Sequence, residues 1–119
     1  MGEMDLNQIR SELARFAKDR DWDQFHSVRN LSLALVGEVG ELAELLQWVD
    51  DKEMSHFLES GGRERLGKEL SDVLLYLVRL ADVADVNLSS AVIAKLEENS
   101  VKYPVEKSKG NSKKYDQLG

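Results

Sequence analysis

Apolar residues recur at intervals of three and four along most of the 119-residue chain, and no run of six residues alternates apolar and polar side chains. The first pattern is typical of amphipathic helices, whereas half-buried strands require the second. β-branched residues are scattered among strong helix formers, and the one proline is Pro104. The sequence therefore predicts an all-α, four-helix-bundle-type fold with main helices over residues 5–20, 31–48, 63–85 and from Asn87 or Ser89 to a point before Pro104.

The first helix has a clear start, because Asp5 and Gln8 stand three residues apart as in a capping box. Residues 21–30 lack the helical period but contain three aromatic rings, so they are predicted to form an ordered connector with those rings turned inward. Residues 49–62 end in a glycine pair and are predicted to be a loop with one helical turn. The third helix is apolar around most of its circumference, which predicts cover on two faces and hence a homo-oligomer.

Composition excludes several function classes. The chain has no cysteine, which excludes disulfides, thiolate zinc sites, iron–sulfur clusters and a cysteine nucleophile, and which fits a reducing compartment. The net charge of −6 argues against nucleic acid as a partner. No apolar run has the length of a signal peptide or a membrane span, so we expect a cytoplasmic protein without a membrane partner.

Two pairs of acidic residues lie on the apolar faces of the second and third helices. Glu38 and Glu41 share a face with leucines of the second helix, and Glu69 and Asp72 share a face with Val73 and other apolar residues of the third. Acidic residues three apart on a helix are usually solvated. Two such pairs on core-facing stripes are different, because burial of an unpaired carboxylate costs several kcal/mol unless a proton, a cation or a basic partner relieves it.

Oxygen-only ligands suit a hard cation, so the four acids predict a site for Mg²⁺, in which Mn²⁺ could also bind. The same four acids could also carry the catalytic chemistry. A di-iron bundle also uses helical carboxylates, but it needs two Glu-x-x-His motifs. This chain has one, Glu53 to His56, within the predicted loop. A substrate that bears phosphates would complete the ligand shell of the cation.

The chain contains the motif ExxE followed by ExxD, as EVGE (38–41) and ELSD (69–72) with 27 residues between them. In this motif it resembles the all-α nucleoside triphosphate pyrophosphohydrolases, which include MazG and the dimeric dUTPases. The stretches 20–48, 69–82 and 102–115 are similar to the dCTP pyrophosphatase branch of that family. The likeness covers nearly the whole chain. It departs at Leu13, where a histidine is often found in the family.

The resemblance implies hydrolysis of dCTP, and of 5-modified dCTP, to the monophosphate and pyrophosphate, with Mg²⁺ held by the four acids. It also implies a single domain over residues 1–104, a basic tail over 105–119 that can close over the phosphates, and a homotetramer built as a dimer of dimers. Implied base-pocket residues are Trp22, His26, Trp48 and Tyr76; implied sugar and phosphate contacts are Lys95, Asn99 and Tyr103; further phosphate candidates are Arg29, Lys107, Lys113 and Lys114.

Two alternatives remain open. The same chemistry could act on another triphosphate, such as dUTP or a damaged purine nucleotide. The chain could instead be a non-catalytic helical oligomerisation module, in which case neutralising Glu38 or Asp72 would stabilise the fold and change nothing else.

Overall fold

A computed structural model describes residues 2–110 and 112 and confirms the all-α prediction, since these residues contain helices and no strand. The helices are α1 (Leu6–Asp19), α2 (Val28–Leu46), α3 (Met54–Phe57), a π-type turn (Leu58–Gly62), α4 (Arg63–Val83), α5 (Leu88–Lys102) and α6 (Val105–Ser108). No described helix is both long and apolar enough to cross a bilayer.

Helix starts follow local side-chain caps. The predicted capping box is present, because the Asp5 carboxylate accepts a hydrogen bond from the Gln8 backbone N–H at 2.8 Å and the Gln8 side chain accepts one from the Asp5 N–H. α2 begins three residues earlier than predicted, because the Ser27 hydroxyl caps it by accepting from the Asn30 N–H at 3.0 Å. Serine is among the residues most strongly preferred at a helix N-cap.

α1 and α4 end in the same way. In each, an aspartate just beyond the helix adopts a left-handed conformation, with φ of 56° at Asp21 and 57° at Asp85. The following residue then donates a backbone hydrogen bond back into the last turn: Trp22 to the Ala17 carbonyl at 2.9 Å, and Val86 to a carbonyl of α4 at 2.8 Å. This is the Schellman termination, which usually has glycine at the left-handed position.

Residues 49–62 are more helical than predicted. Instead of a loop with one turn, the segment holds α3 and the π-type turn, which leads directly into α4. The glycine pair is what permits this, because Gly61 has φ of 96° and a Cβ at Gly62 would collide with the Phe57 ring. The glycines therefore allow a sharp bend between two helices, where the sequence pattern indicated an open loop.

The chain divides into two compact units, one up to Val86 and one from Asn87 onward. In the first, α4 packs chiefly against α2 and also against α1. Its buried apolar core is small, and much apolar surface on α2 and α4 is exposed: Leu33, Val36, Val39, Leu70, Leu74, Leu75 and Leu77. Val36 is 68% exposed. The described unit therefore has unpartnered apolar faces on both of its longest helices.

The second unit begins with a side-chain cap, since the Asn87 side chain accepts a hydrogen bond from the Ser90 N–H. α5 ends at Lys102, ahead of Pro104 as predicted, and α6 follows as a single turn. The domain boundary at 104 and the closing action of the tail stay predictions.

Candidate functional site

The acidic residues lie on the predicted faces of α2 and α4. Glu38 and Glu69 are half-buried among apolar neighbours, and Glu41 and Asp72, one turn further along each helix, are exposed. Because α2 and α4 pack against each other, the two faces meet. The spacing of each pair follows from the helical period, but only the packing of the two helices brings one pair to the other.

Three of the four carboxylates form a compact cluster. Glu38, Glu41 and Glu69 each offer an oxygen, and these oxygens all lie within 4.8 Å of one another. Oε2 of Glu38 and Oε2 of Glu69 are buried without a hydrogen-bond partner. Within residues 2–86, the ion pairs of the basic side chains go to other acids and not to these. Asp72 is outside the cluster, although it is close enough to act on Glu38 electrostatically.

Burial and crowding of negative charge raise the pKa of Glu38. Desolvation of its carboxylate is the largest cause, followed by a hydrogen bond with the Glu41 carboxyl group. The charges of Glu41, Asp72 and Glu69 act in the same direction. The protein therefore holds this carboxylate where its ionised form is disfavoured, and a cation would reverse that preference.

The cluster fits a hard divalent cation. Mg²⁺ binds oxygen at about 2.0–2.1 Å, so its ligand oxygens lie at most about 4.2 Å apart, close to the separation found here. Buried polar atoms are nearly always paired in native proteins. Two orphaned carboxylate oxygens, on side chains that cluster with a third carboxylate, are what a site for such an ion needs.

A small cavity next to the acidic cluster is lined by aromatic side chains. Its volume is about 160 Å³, and its walls include Trp22, His26, Tyr76 and Asp72, with Leu13, Phe16, Ala17, Leu31, Leu75 and Arg79. The structure thus brings together three of the four predicted base-pocket residues. Trp22 and His26 meet edge to face with ring centroids 6.1 Å apart.

Other predicted contacts lie elsewhere. Trp48 follows α2, is 84% exposed and does not line the cavity. Arg29 is exposed on the first turn of α2. Phe25 is 61% exposed and Trp22 is 42% exposed, so the prediction that the connector turns its aromatic rings inward is wrong for Phe25 and holds only in part for Trp22. Short turns centred on Trp22 hold the connector so that Trp22 and His26 line the cavity instead.

The polar network behind the cavity was not predicted. Arg79 on α4 reaches the connector, where its Nε donates a hydrogen bond to His26 Nδ1 at 3.0 Å and its Nη2 pairs with Asp23 at 2.7 Å. It also pairs with Asp82 at 3.4 Å. Burial, and secondarily the charge of Arg79, lower the pKa of His26. No sequence signal links Arg79 to His26, because 53 residues separate them.

The candidates for sugar and phosphate contacts belong to the second unit. Lys95, Asn99 and Tyr103 follow one another at intervals of four along α5 and its end. Lys95 pairs with Glu98 at 3.4 Å, and the Tyr103 N–H donates to the Asn99 carbonyl at 2.8 Å. Lys107 is on α6. Lys113 and Lys114 lie outside the described residues.

The model of the MazG-like family matches residues 34–118, which include both acidic pairs. The chain belongs to the MazG-like family. Its sequence is 53% identical over 114 residues to dCTP pyrophosphatase 1 of Rattus norvegicus. The aligned region covers 95% of this chain and 67% of the rat protein. The chain is 50% identical to dCTP pyrophosphatase 1 of Homo sapiens with the same coverage.

A solved structure extends the likeness to the fold. A pyrophosphatase from Archaeoglobus fulgidus superposes on this MazG-like chain with a TM-score of 0.77 and 34% sequence identity. The match covers 87% of this chain and 96% of the archaeal one. The similarity therefore extends over most of the helical fold.

Proposed function

We propose that this protein is a Mg²⁺-dependent nucleoside triphosphate diphosphatase that hydrolyses dCTP and its 5-modified analogues to the monophosphate and pyrophosphate. The observation that carries the proposal is the cluster of Glu38, Glu41 and Glu69, with two buried and unpartnered carboxylate oxygens. An enzyme of this type would remove unwanted nucleotides from the precursor pool. The names of the rat and human relatives support dCTP as the substrate.

The side chains of the cluster would share the work of the site. Glu38, Glu41 and Glu69 would hold the cation, and Asp72, beside them, would complete the shell or orient the attacking water. Bound Mg²⁺ would offset the negative charge of the triphosphate and of the transition state. A water deprotonated by one of these carboxylates attacks the α-phosphorus, the bond to the bridging oxygen breaks, and pyrophosphate leaves.

The aromatic cavity would hold the base. Trp22 and Tyr76 line it with aromatic rings, and His26 adds an imidazole. Its position beside Asp72 would place a bound base next to the metal site. Lys95, Asn99 and Tyr103 would contact the sugar and phosphates, with Arg29, Lys107, Lys113 and Lys114 as further phosphate contacts. Trp48 would complete the base pocket from outside the described cavity.

We also propose a homo-oligomer, a tetramer built as a dimer of dimers. The exposed apolar side chains of α2 and α4 support it, because contiguous apolar surface on a soluble protein usually marks an interface. Analytical ultracentrifugation should give four times the chain mass, and Val36→Glu should lower it. The net charge of −6 supports the further proposal that the protein does not bind nucleic acid. We also propose a cytoplasmic protein without a membrane partner, because the sequence has no cysteine and no apolar run long enough to span a bilayer.

A substrate panel tests the enzymatic proposal. Purified protein is incubated with canonical and 5-modified deoxynucleoside and ribonucleoside triphosphates plus Mg²⁺, with and without EDTA, and pyrophosphate and monophosphate are measured. We expect EDTA-sensitive turnover, highest with dCTP, that Glu41→Gln and Asp72→Asn abolish and the control Glu44→Gln retains. Preference for dUTP or a purine nucleotide would keep the metal site and overturn the base assignment.

Absence of turnover across the whole panel, with folded protein, would favour the oligomerisation module. In that case Glu38→Gln or Asp72→Asn would only stabilise the fold.

A further inference from the structure

Arg79 is tied to two elements by a nearly buried guanidinium group. Its side chain is 11% exposed, and it contacts Asp82 on its own helix and both Asp23 and His26 on the connector. A planar guanidinium with partners on three sides cannot rotate without loss of hydrogen bonds. The contact to His26 is therefore held in place chiefly by the shorter ion pair, to Asp23 at 2.7 Å, and much less by the pair to Asp82 at 3.4 Å.

That contact determines which nitrogen of the imidazole carries the proton. Arginine has only N–H donors and no acceptor, so the nitrogen it meets at 3.0 Å, Nδ1 of His26, must be the acceptor. An imidazole that accepts at Nδ1 is neutral and carries its hydrogen on Nε2. The lowered pKa of His26 agrees with a neutral ring.

The remaining nitrogen is the one available to a ligand. No described residue accepts a hydrogen bond from Nε2 of His26, and the ring lines the aromatic cavity. At about 160 Å³ this cavity is smaller than the roughly 300–1,000 Å³ pockets that hold drug-sized ligands. It suits a single ring. Among the polar groups of its walls, which also include Asp72, Tyr76 and Arg79, the imidazole of His26 offers a ligand a donor and not an acceptor.

We infer that Arg79 is a positioning residue that keeps His26 in its Nε2–H form, and that this N–H selects a pyrimidine whose ring N3 is an acceptor. This inference rests on the proposed function. N3 of cytosine is unprotonated and accepts a hydrogen bond, whereas N3 of uracil carries a hydrogen. The imidazole N–H that donates to cytosine would therefore face the N3–H of uracil, and two donors cannot form a hydrogen bond. Without Arg79 the proton could move to Nδ1, and Nε2 would then accept from the uracil N3–H.

The first test is spectroscopic. Long-range ¹H–¹⁵N spectra of the imidazole rings distinguish protonated from unprotonated nitrogens, and His56→Gln identifies which of the two histidines is His26. We expect the wild-type protein to have the hydrogen on Nε2 and Arg79→Met to show a mixture of the two forms. A wild-type His26 protonated on Nδ1 would overturn the inference.

The second test is kinetic. The ratio of kcat/KM for dCTP to that for dUTP should fall about tenfold in Arg79→Met, equivalent to ~1.4 kcal/mol, with the change chiefly in KM. Arg79→Lys retains a donor and should restore part of the ratio. Asp82→Asn removes an ion pair of Arg79 without touching the imidazole, so it should keep the ratio even where it lowers stability.

The outcomes separate this inference from the proposed function. An unchanged ratio in Arg79→Met, or equal losses in Arg79→Met and Asp82→Asn, would reduce Arg79 to a structural role and overturn it. If wild-type protein hydrolyses no triphosphate, the proposed function fails, and titration with dCMP and dUMP decides the inference. A shift of the His26 Nε2–H signal with dCMP alone would then support it, and no shift with either would overturn it.

Discussion

Replacement of Glu38 by glutamine should stabilise the metal-free protein and at the same time remove most of its stabilisation by Mg²⁺. The substitution keeps the shape of the side chain and removes one negative charge from a group of three carboxylates whose oxygens lie within 4.8 Å of one another. Without a cation these charges repel. With a cation the same charges bind, so the single change should have opposite effects under the two conditions.

The magnitude follows from the geometry. Two unit charges 4.8 Å apart repel by about 0.9 kcal/mol in water and by about 3.5 kcal/mol at an effective dielectric constant of 20. Because Glu41 is exposed, solvent screens the repulsion and the net gain should be near the lower figure, about 1 kcal/mol. For a chain of this length that raises the melting temperature by about 4 °C. Saturation with Mg²⁺ at about 100 times its Kd stabilises the wild type by about 2.7 kcal/mol.

Thermal unfolding followed by circular dichroism checks this, with EDTA and with Mg²⁺. We expect Glu38→Gln to melt above the wild type in EDTA and below it in Mg²⁺. Glu44→Gln, an exposed change on the same helix outside the cluster, should follow the wild type in both. If Mg²⁺ raised the melting temperatures of all three proteins equally, or if Glu38→Gln were the less stable protein in EDTA, the reasoning would be refuted.

Three further predictions concern stability. Asp85→Gly should raise the free energy of unfolding in urea by about 1 kcal/mol, because φ is 57° there and glycine adopts that conformation without a Cβ penalty; a loss would contradict this. Gly62→Ala should lower the free energy of unfolding by about 1–3 kcal/mol, because its Cβ would collide with the Phe57 ring. The control Gly67→Ala meets open space and should not destabilise the protein, so equal effects of the two changes would argue against the collision. The pKa of His26 is lowered, chiefly through burial, so the imidazole binds a proton more tightly in the unfolded chain than in the folded one. The free energy of unfolding should therefore keep its full value above about pH 6.5, the pKa of a free histidine, and decrease as the pH falls below it. His26→Gln should remove that part of the pH dependence in urea titrations, and an unchanged profile would show that other groups cause it.

Local features could be predicted from the sequence because they depend on residues three or four apart. The Asp5 and Gln8 capping box, the faces of α2 and α4, and the end of α5 before Pro104 all belong to this class. α2 starts three residues before the predicted position, because several residues near it can cap a helix and only the backbone path selects Ser27. Even a strong local signal therefore leaves a boundary open when candidate caps are close together.

The bend before α4 shows how packing overrides a local signal. Two consecutive glycines usually indicate a loop. Here Gly61 adopts positive φ and Gly62 leaves room for the Phe57 ring, so the chain turns tightly between helices. The ring that fills the space is five residues away, and the sequence pattern does not indicate that the two meet.

The sequence by itself determined that each of the two long helices would carry a glutamate on its apolar face, since helical periodicity places Glu38 and Glu69 among apolar residues. Only the tertiary structure decided that both meet Glu41 in one cluster while Asp72 remains beside it, because the register of α2 against α4 depends on packing along their whole length. The bond from Arg79 to His26 was likewise beyond the sequence. Period and capping act over a few residues, whereas a contact across 53 residues exists only once the helices have packed.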